Sequence, residues 1–300
     1  MFSGCTALEK VTLGNGVTSI GSEAFEDCVS LPAIVLPDSI TTIESSLFFG
    51  CSSLKEITIP NSVTSIGRAA FSGCSALEEI IIPDSVTSIE GSAFYGCSSL
   101  EEITIPQSVE SIGVSAFYDC SQLKKVNIGT GVTSIGTDAF LGTAIYNNPT
   151  NWQNGALYIG DYLIRVQADV KGAFSVRENC LLIANNACYK CSELTSVAIP
   201  NSVKKVGVQA FRHCTSLTSV AMGNGLTDIG EYAFSGCSKL SAIVVPDNVT
   251  AVRYCAFEGC TALTSAVIGN GVTLIGWCAF FDCTALTTLT LGKSLETVGE

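Results

Sequence analysis

The sequence predicts an α/β solenoid: stacked rungs of 23 residues, each with a short strand that pairs in parallel with its neighbours, a second short extended stretch and a single helical turn. Three observations carry this. Phenylalanine recurs every 23 residues from Phe2 through Phe25, Phe48, Phe71, Phe94 and Phe117 to Phe140, and again from Phe211 through Phe234 and Phe257 to Phe280. A cysteine follows three residues after each of these except Phe140. An apolar, alternating triplet closed by proline or glycine follows in turn, as in Ile57-Thr58-Ile59-Pro60. A unit of this length cannot close a core alone, whereas stacked copies bury the same slots against one another.

One rung shows the logic of each element. Phe48 and Cys51 are three apart, which puts both on one inward face of a helical turn. Leu54, Ile57 and Ile59 continue the apolar side with period two near the strand, and Pro60-Asn61-Ser62 is turn chemistry. Val63, Ile66 and Gly67 make the second extended stretch, and Ala70 precedes the next phenylalanine. Gly14-Asn15-Gly16, Gly129-Thr130-Gly131, Gly223-Asn224-Gly225 and Gly269-Asn270-Gly271 are variants of the same turn.

The register breaks once. Thr143 stands where cysteine belongs, and Gly155 to Val166 reads as two strands around a two-residue turn at Gly160-Asp161, a hairpin signal. The expected organisation is one continuous solenoid with repeats over 1–143, a β-hairpin insertion over 144–168 and repeats over 169–300. The rung after the hairpin is degenerate: Phe174 and Val176 supply its strand, Cys180 takes the valine slot and Ala187-Cys188 stands for Ala-Phe.

Composition narrows the function. Only 14% of residues are charged and the net charge is -12, so no basic surface exists to bind a nucleic-acid backbone or anionic lipid. No apolar run approaches the roughly 20 residues that cross a bilayer, and no secretory signal precedes the first rung. Catalytic motifs are missing too, so no enzyme, metal or cofactor is expected. His213 adjoins Cys214, but adjacent residues on a turn point apart and cannot act as a nucleophile pair.

Eleven cysteines share one slot. Equivalent Cβ atoms in a parallel stack sit about one strand spacing apart, too far for a disulfide, so Cys28, Cys51, Cys74, Cys97, Cys120, Cys191, Cys214, Cys237, Cys260 and Cys283 are expected as a buried thiol ladder, with Cys5 at its start. Four lie off it: Cys180, Cys188, Cys255 and Cys278. Cys188-x-x-Cys191 has the spacing of a redox pair or half a zinc site, but no second such pair exists and core packing is the simpler reading. Cys255 and Cys278 share a slot that is polar in several other rungs, so partial exposure is expected there.

The outward slots beside the strand should line one continuous face. Glu56, Glu79 and Glu102 stack like charges on consecutive rungs, whereas Ala198, Ala221, Val244 and Val267 make a small neutral strip after the insertion. Both are candidate protein contacts, and Phe49, Tyr95, Tyr118, Tyr189, Phe281, Tyr254 and Trp277 are candidate aromatic anchors.

The Ala-Phe-x-x-Cys corner and the L-x-x-I-x-I-P-x-S-V-x-x-I-G segment resemble the BspA-type leucine-rich repeats of bacterial and some protist cell surfaces, over all but about 144–168. Asn61, Asp84, Asn201 and Asn270 fall one position early for the general leucine-rich signature. The resemblance implies a right-handed leucine-rich repeat superhelix and an adhesin-like surface module that binds a matrix or host surface protein, with no catalytic residues. A stalk that spaces another domain from the cell, or an intracellular interaction scaffold supported by the thiols, remain alternatives. The chain starts and stops inside the pattern without polar caps, so a fragment of a longer protein, or self-association through the ends, is also expected.

Overall fold

The computed structural model describes residues 1–299 and is a solenoid of short, mostly parallel strands. The chain divides into two compact units, Met1–Asn151 and Trp152–Glu300. The predicted hairpin falls in the second.

Both units repeat the same cross-section. The V-x-x-I stretch gives two-residue strands that pair in register without a break. In the first unit these are Thr42–Ile43, Ser65–Ile66, Ser88–Ile89, Ser111–Ile112 and Ser134–Ile135. In the second unit nine strands form one sheet, starting with Trp152–Gln153, Ala156–Ile159 and Tyr162–Val166 and continuing in parallel through Leu182–Ile183 to Thr297–Val298. Ile159 pairs antiparallel with Tyr162 across Gly160-Asp161, the two-residue turn read from the sequence. Tyr162 then pairs in parallel with Leu182, so the hairpin is built into the ladder.

The I-x-I side differs from the single face expected. It is cut into separate sheets: Ala33–Val35 with Glu56–Thr58 and Glu102–Ile105 with Lys125–Ile128 in the first unit, and two three-stranded sheets in the second. Between the first two, only the isolated bridge Thr58↔Ile81 remains.

The corner also differs in detail from a helical turn. Each is a run of hydrogen-bonded turns, with the cysteine N–H donating to the phenylalanine carbonyl three residues back, as in Cys97 to Phe94 at 3.1 Å. One turn of this kind is too short to propagate as helix. The α-helix among the described residues is Ala144–Asn147, and it begins where the repeat fails. Thr143, buried in the cysteine slot, donates to the Phe140 carbonyl at 2.7 Å and accepts from Tyr146 N at 3.2 Å, which caps the helix and turns the chain out of the ladder.

The core follows the repeat. Phe25, Phe48, Phe71, Phe94, Phe117 and Phe140 are buried, with neighbouring ring centroids 5.2 to 5.7 Å apart and nearly parallel planes. The second unit stacks Phe211, Phe234, Phe257 and Phe280 in the same way. Cys188, taking the phenylalanine slot one rung earlier, is also buried.

Candidate functional site

The thiol ladder has a bond that sequence reading missed. Each Sγ donates to the backbone carbonyl of the preceding rung's phenylalanine: Cys51 to Phe25 at 3.0 Å, Cys74 to Phe48 at 3.1 Å, Cys97 to Phe71 at 3.1 Å, Cys120 to Phe94 at 3.0 Å and Cys237 to Phe211 at 3.2 Å. Cys28, Cys260 and Cys283 repeat the pattern, Cys214 donates to the carbonyl of Cys188 in the phenylalanine slot at 3.2 Å, and Cys191 reaches the Val166 carbonyl at 3.7 Å. That carbonyl already accepts the N–H of its own rung's cysteine, so the thiol fills its second lone pair. An alanine or valine there would match the packing and lose this link between rungs.

Cysteines 28, 51, 74, 97, 120, 191, 214, 237 and 260 are buried and their thiols free. Cys283 is only half-buried, unlike its equivalents, and Cys5 is exposed. Desolvation pushes the Cys51 thiol up to about 12 and Cys180 up to about 11. Cys188 is raised by burial and by its hydrogen bond to Cys191, whose own thiol that bond lowers. Cys255 is buried, against the exposure expected of its slot, because Tyr232 and Tyr254 cover it; Cys278 is half-buried.

The outward residues of the strand slots are exposed as a group. Glu56, Glu79 and Glu102 all face solvent, and so do Ala198, Ala221, Val244 and Val267. Register places Ala198 beside Ala221 in one sheet and Val244 beside Val267 in another. No ladder joins those two sheets, although their facing strands Ser219–Met222 and Ala242–Val245 lie in contact.

On the acidic side the geometry departs from a flat sheet. The rung Glu79-Ile80-Ile81-Ile82 forms no ladder with Glu102–Ile105, and a groove of about 550 Å³ lies between them, lined by Glu78, Glu79, Ile81, Glu101, Glu102 and Thr104. A second groove of about 410 Å³ lies on its other side, against Glu56 and Thr58. Ile81, 73% exposed, stands on the ridge between the two. The interruption coincides with the stack of like charges, and regular pairing resumes where the charges alternate. There Lys124 meets Glu101, and Lys125 meets Glu102 at 2.9 Å, in register with the Glu102–Lys125 pair. Glu56, Glu78 and Glu79 have no ion pair among the described residues. Their carboxylates are left facing two open grooves.

The aromatics divide similarly. Tyr95 and Tyr118 stack with centroids 5.0 Å apart, and Tyr254 meets Trp277 at 5.6 Å. Trp277, Phe281, Leu289, Leu291 and Val298 line an apolar groove of about 500 Å³ at the last rung of the second unit. No helix among the described residues is long and apolar enough to cross a membrane.

No curated protein matches the chain. Among solved structures, a leucine rich cell surface protein from Faecalibacterium prausnitzii is 32% identical over 94% of this chain and 85% of its own, with a TM-score of 0.46. A leucine-rich repeat protein from Bacteroides ovatus is 30% identical over 93% and 84%, with a TM-score of 0.40. The T. pallidum Leucine Rich Repeat protein is 28% identical over 70% and 78%, with a TM-score of 0.38. The family described as BspA type Leucine rich repeat region matches six times, over residues 1–67, 50–165 and 182–300. With a 23-residue corner and strand repeat in both units, the chain belongs to the BspA-type leucine-rich repeat family.

Proposed function

We propose that this chain is a non-enzymatic, adhesin-like module of a cell surface that binds a matrix or host surface protein through the acidic rungs of its first unit. The observation that carries the reading is the Glu56, Glu79 and Glu102 stack, in which Glu102 is paired with Lys125 while the Glu56 and Glu79 carboxylates stand unpaired beside two grooves and a prominent isoleucine. Stacked like charges cost stability unless something offsets them. A partner segment rich in lysine or arginine would do so, with Ile81 as a central apolar contact.

Retention of immobilised matrix proteins by the wild type and by a Glu56→Lys/Glu79→Lys/Glu102→Lys variant tests this. Loss of binding in the variant, at unchanged circular dichroism, is the expected result; equal retention would remove the acidic face from the reading. A spacer is the second reading, favoured by the small neutral residues Ala198, Ala221, Val244 and Val267, which offer no charged or large anchor. It predicts that neither strip affects retention.

A further inference from the structure

The degenerate rung carries two thiols on one turn. In the regular rungs a phenylalanine opens the corner and a cysteine closes it three residues on, so the two slots hold one sulfur between them. Here Cys188 takes the phenylalanine slot and Cys191 the cysteine slot. Neighbouring ladder thiols stand on successive rungs with their Cβ vectors side by side, one strand spacing apart, which keeps them from bonding to each other. Cys188 and Cys191 escape that restriction because a single turn carries both.

The turn suits a disulfide. The Cys191 N–H donates to the Cys188 carbonyl at 3.2 Å, and Lys190 inside the turn has φ 61°. A closed four-residue turn brings its end Cα atoms within about 7 Å, and a disulfide spans roughly 4.4 to 6.8 Å. The two thiols already hydrogen-bond to each other. Cys191 is also the most loosely tied member of the ladder. Its Sγ lies 3.7 Å from the Val166 carbonyl and 3.6 Å from that of Gln167, whereas the regular rungs show 3.0 to 3.3 Å. The hairpin strand Tyr162–Val166, not a phenylalanine corner, precedes it. Pairing with Cys188 therefore gives up the weakest of these bonds. The backbone is left as it is, since the Cys188 N–H keeps the Ala210 carbonyl at 2.7 Å and the Cys188 carbonyl keeps the Cys214 thiol at 3.2 Å. Arg165, whose guanidinium donates to the Asn186 carbonyl at 3.2 Å, brings positive charge towards both sulfurs and favours a thiolate. The bond from Cys188, ahead of Arg165, holds the Cys191 pKa below its ordinary value against burial and Asp169.

We propose that Cys188 and Cys191 form a reversible intramolecular disulfide, made by exchange with a small disulfide of the glutathione disulfide class. The Cys191 thiolate attacks one sulfur of that molecule, forming a mixed disulfide and expelling one thiolate. Cys188 then gives up its proton and attacks the Cys191 sulfur, which expels the second thiolate. The two cysteines lose two electrons and two protons, and one small disulfide becomes two thiols. Both sulfurs are buried, so exchange waits on opening of this corner and is slower than at Cys5, Cys278 or Cys283. The site belongs to the second unit and does not rest on the acidic rungs.

The experiment holds the native full chain overnight with glutathione disulfide at pH 8, blocks free thiols with N-ethylmaleimide in denaturant and maps tryptic peptides by mass spectrometry. Trypsin cuts after Lys190, so the bond joins peptides 178–190 and 191–204. The expected result is that linked pair, lost on reduction with dithiothreitol, retained in Cys180→Ala and absent in Cys188→Ala. Cys188→Ala should instead leave Cys191 as the mixed disulfide with glutathione. Cys188→Phe restores the regular corner, so it should keep the wild-type circular dichroism and also lack the link. Recovery of both thiols blocked in the wild type, or a link from Cys191 to Cys214, would overturn the proposal. Links among the other ladder cysteines at equal yield would overturn it too, since they would come from general unfolding.

Discussion

The guanidinium of Arg177 lies over the ring of Tyr158, its Cζ 3.8 Å from the centroid, while the Tyr158 hydroxyl accepts a hydrogen bond from the Arg177 backbone N at 3.2 Å. The two contacts fasten the hairpin strand Ala156–Ile159 to the turn of the degenerate rung. Tyr158→Phe should therefore cost about 1 kcal/mol, through the lost acceptor, and Arg177→Ala about 1 to 2 kcal/mol, through the lost stacked cation. Urea unfolding of both variants checks this, and unchanged midpoints would mean that the hairpin is held elsewhere.

The phenylalanine stack should be the costliest place to cut. Phe94 is fully buried, with Phe71 5.3 Å on one side and Phe117 5.2 Å on the other. Phe94→Ala is expected to lose about 3 to 5 kcal/mol. Phe49, 38% exposed on the outer corner, should lose less than about 1.5 kcal/mol on the same change. Equal losses in urea unfolding would contradict a core carried by the inner ring of each rung.

Alkali should unfold the protein early. Burial raises the folded pKa of the Cys51 thiol to about 12 and that of Cys180 to about 11. An unfolded chain releases these protons near its ordinary thiol pKa, while the folded chain keeps them. Their contribution is thus fully present below about pH 9 and is lost as pH rises towards the folded values, with each such thiol steepening the fall by up to about 1.4 kcal/mol per pH unit. Urea midpoints measured from pH 8 to 11 should drop steeply; a flat profile would show that the thiols are solvated.

Thiol reagents should discriminate by rung. Cys5 is exposed and Cys278 and Cys283 are half-buried, whereas the other twelve of the fifteen are buried. A native titration with an aromatic disulfide at pH 8 should show a fast phase of at most three thiols, and denaturant should release the rest. A larger fast phase would mean that the ladder opens in the native state.

Charge on the split rung is open to repair. Glu79→Lys places a cation between Glu56 and Glu102, as Lys125 is placed beside Glu102. Exposed pairs of this kind contribute up to about 1 kcal/mol, less at high salt. The variant should gain stability at low ionic strength and lose the gain in 1 M salt. A gain that persisted in salt would point to packing around Ile81 instead.

The period of phenylalanine and cysteine was enough to place the core, because a repeat shorter than a domain must bury the same slots in every copy. Gly160-Asp161 likewise announced its turn, since few other pairs accept that geometry. The interruption at Glu79 was harder to see. The apolar pattern of Ile80 and Ile82 is intact, and the break coincides with like charges in neighbouring rungs, which no single rung displays. The thiol to carbonyl bonds were hidden for a similar reason, as donor and acceptor lie 26 residues apart in chain order. The separation of the second unit's sheets at Ser219–Met222 and Ala242–Val245 has no such charge to explain it.

Because the sulfur of each regular rung reaches the carbonyl of the one before by the same geometry, a regular rung presents to its successor what its predecessor presented to it. A stretch of 23 residues gained or lost in register would leave every remaining junction as it was. The height of such a column is therefore free to drift in steps of 23, whereas a change of any other length needs a joint of its own, as the helix and hairpin after Thr143 supply.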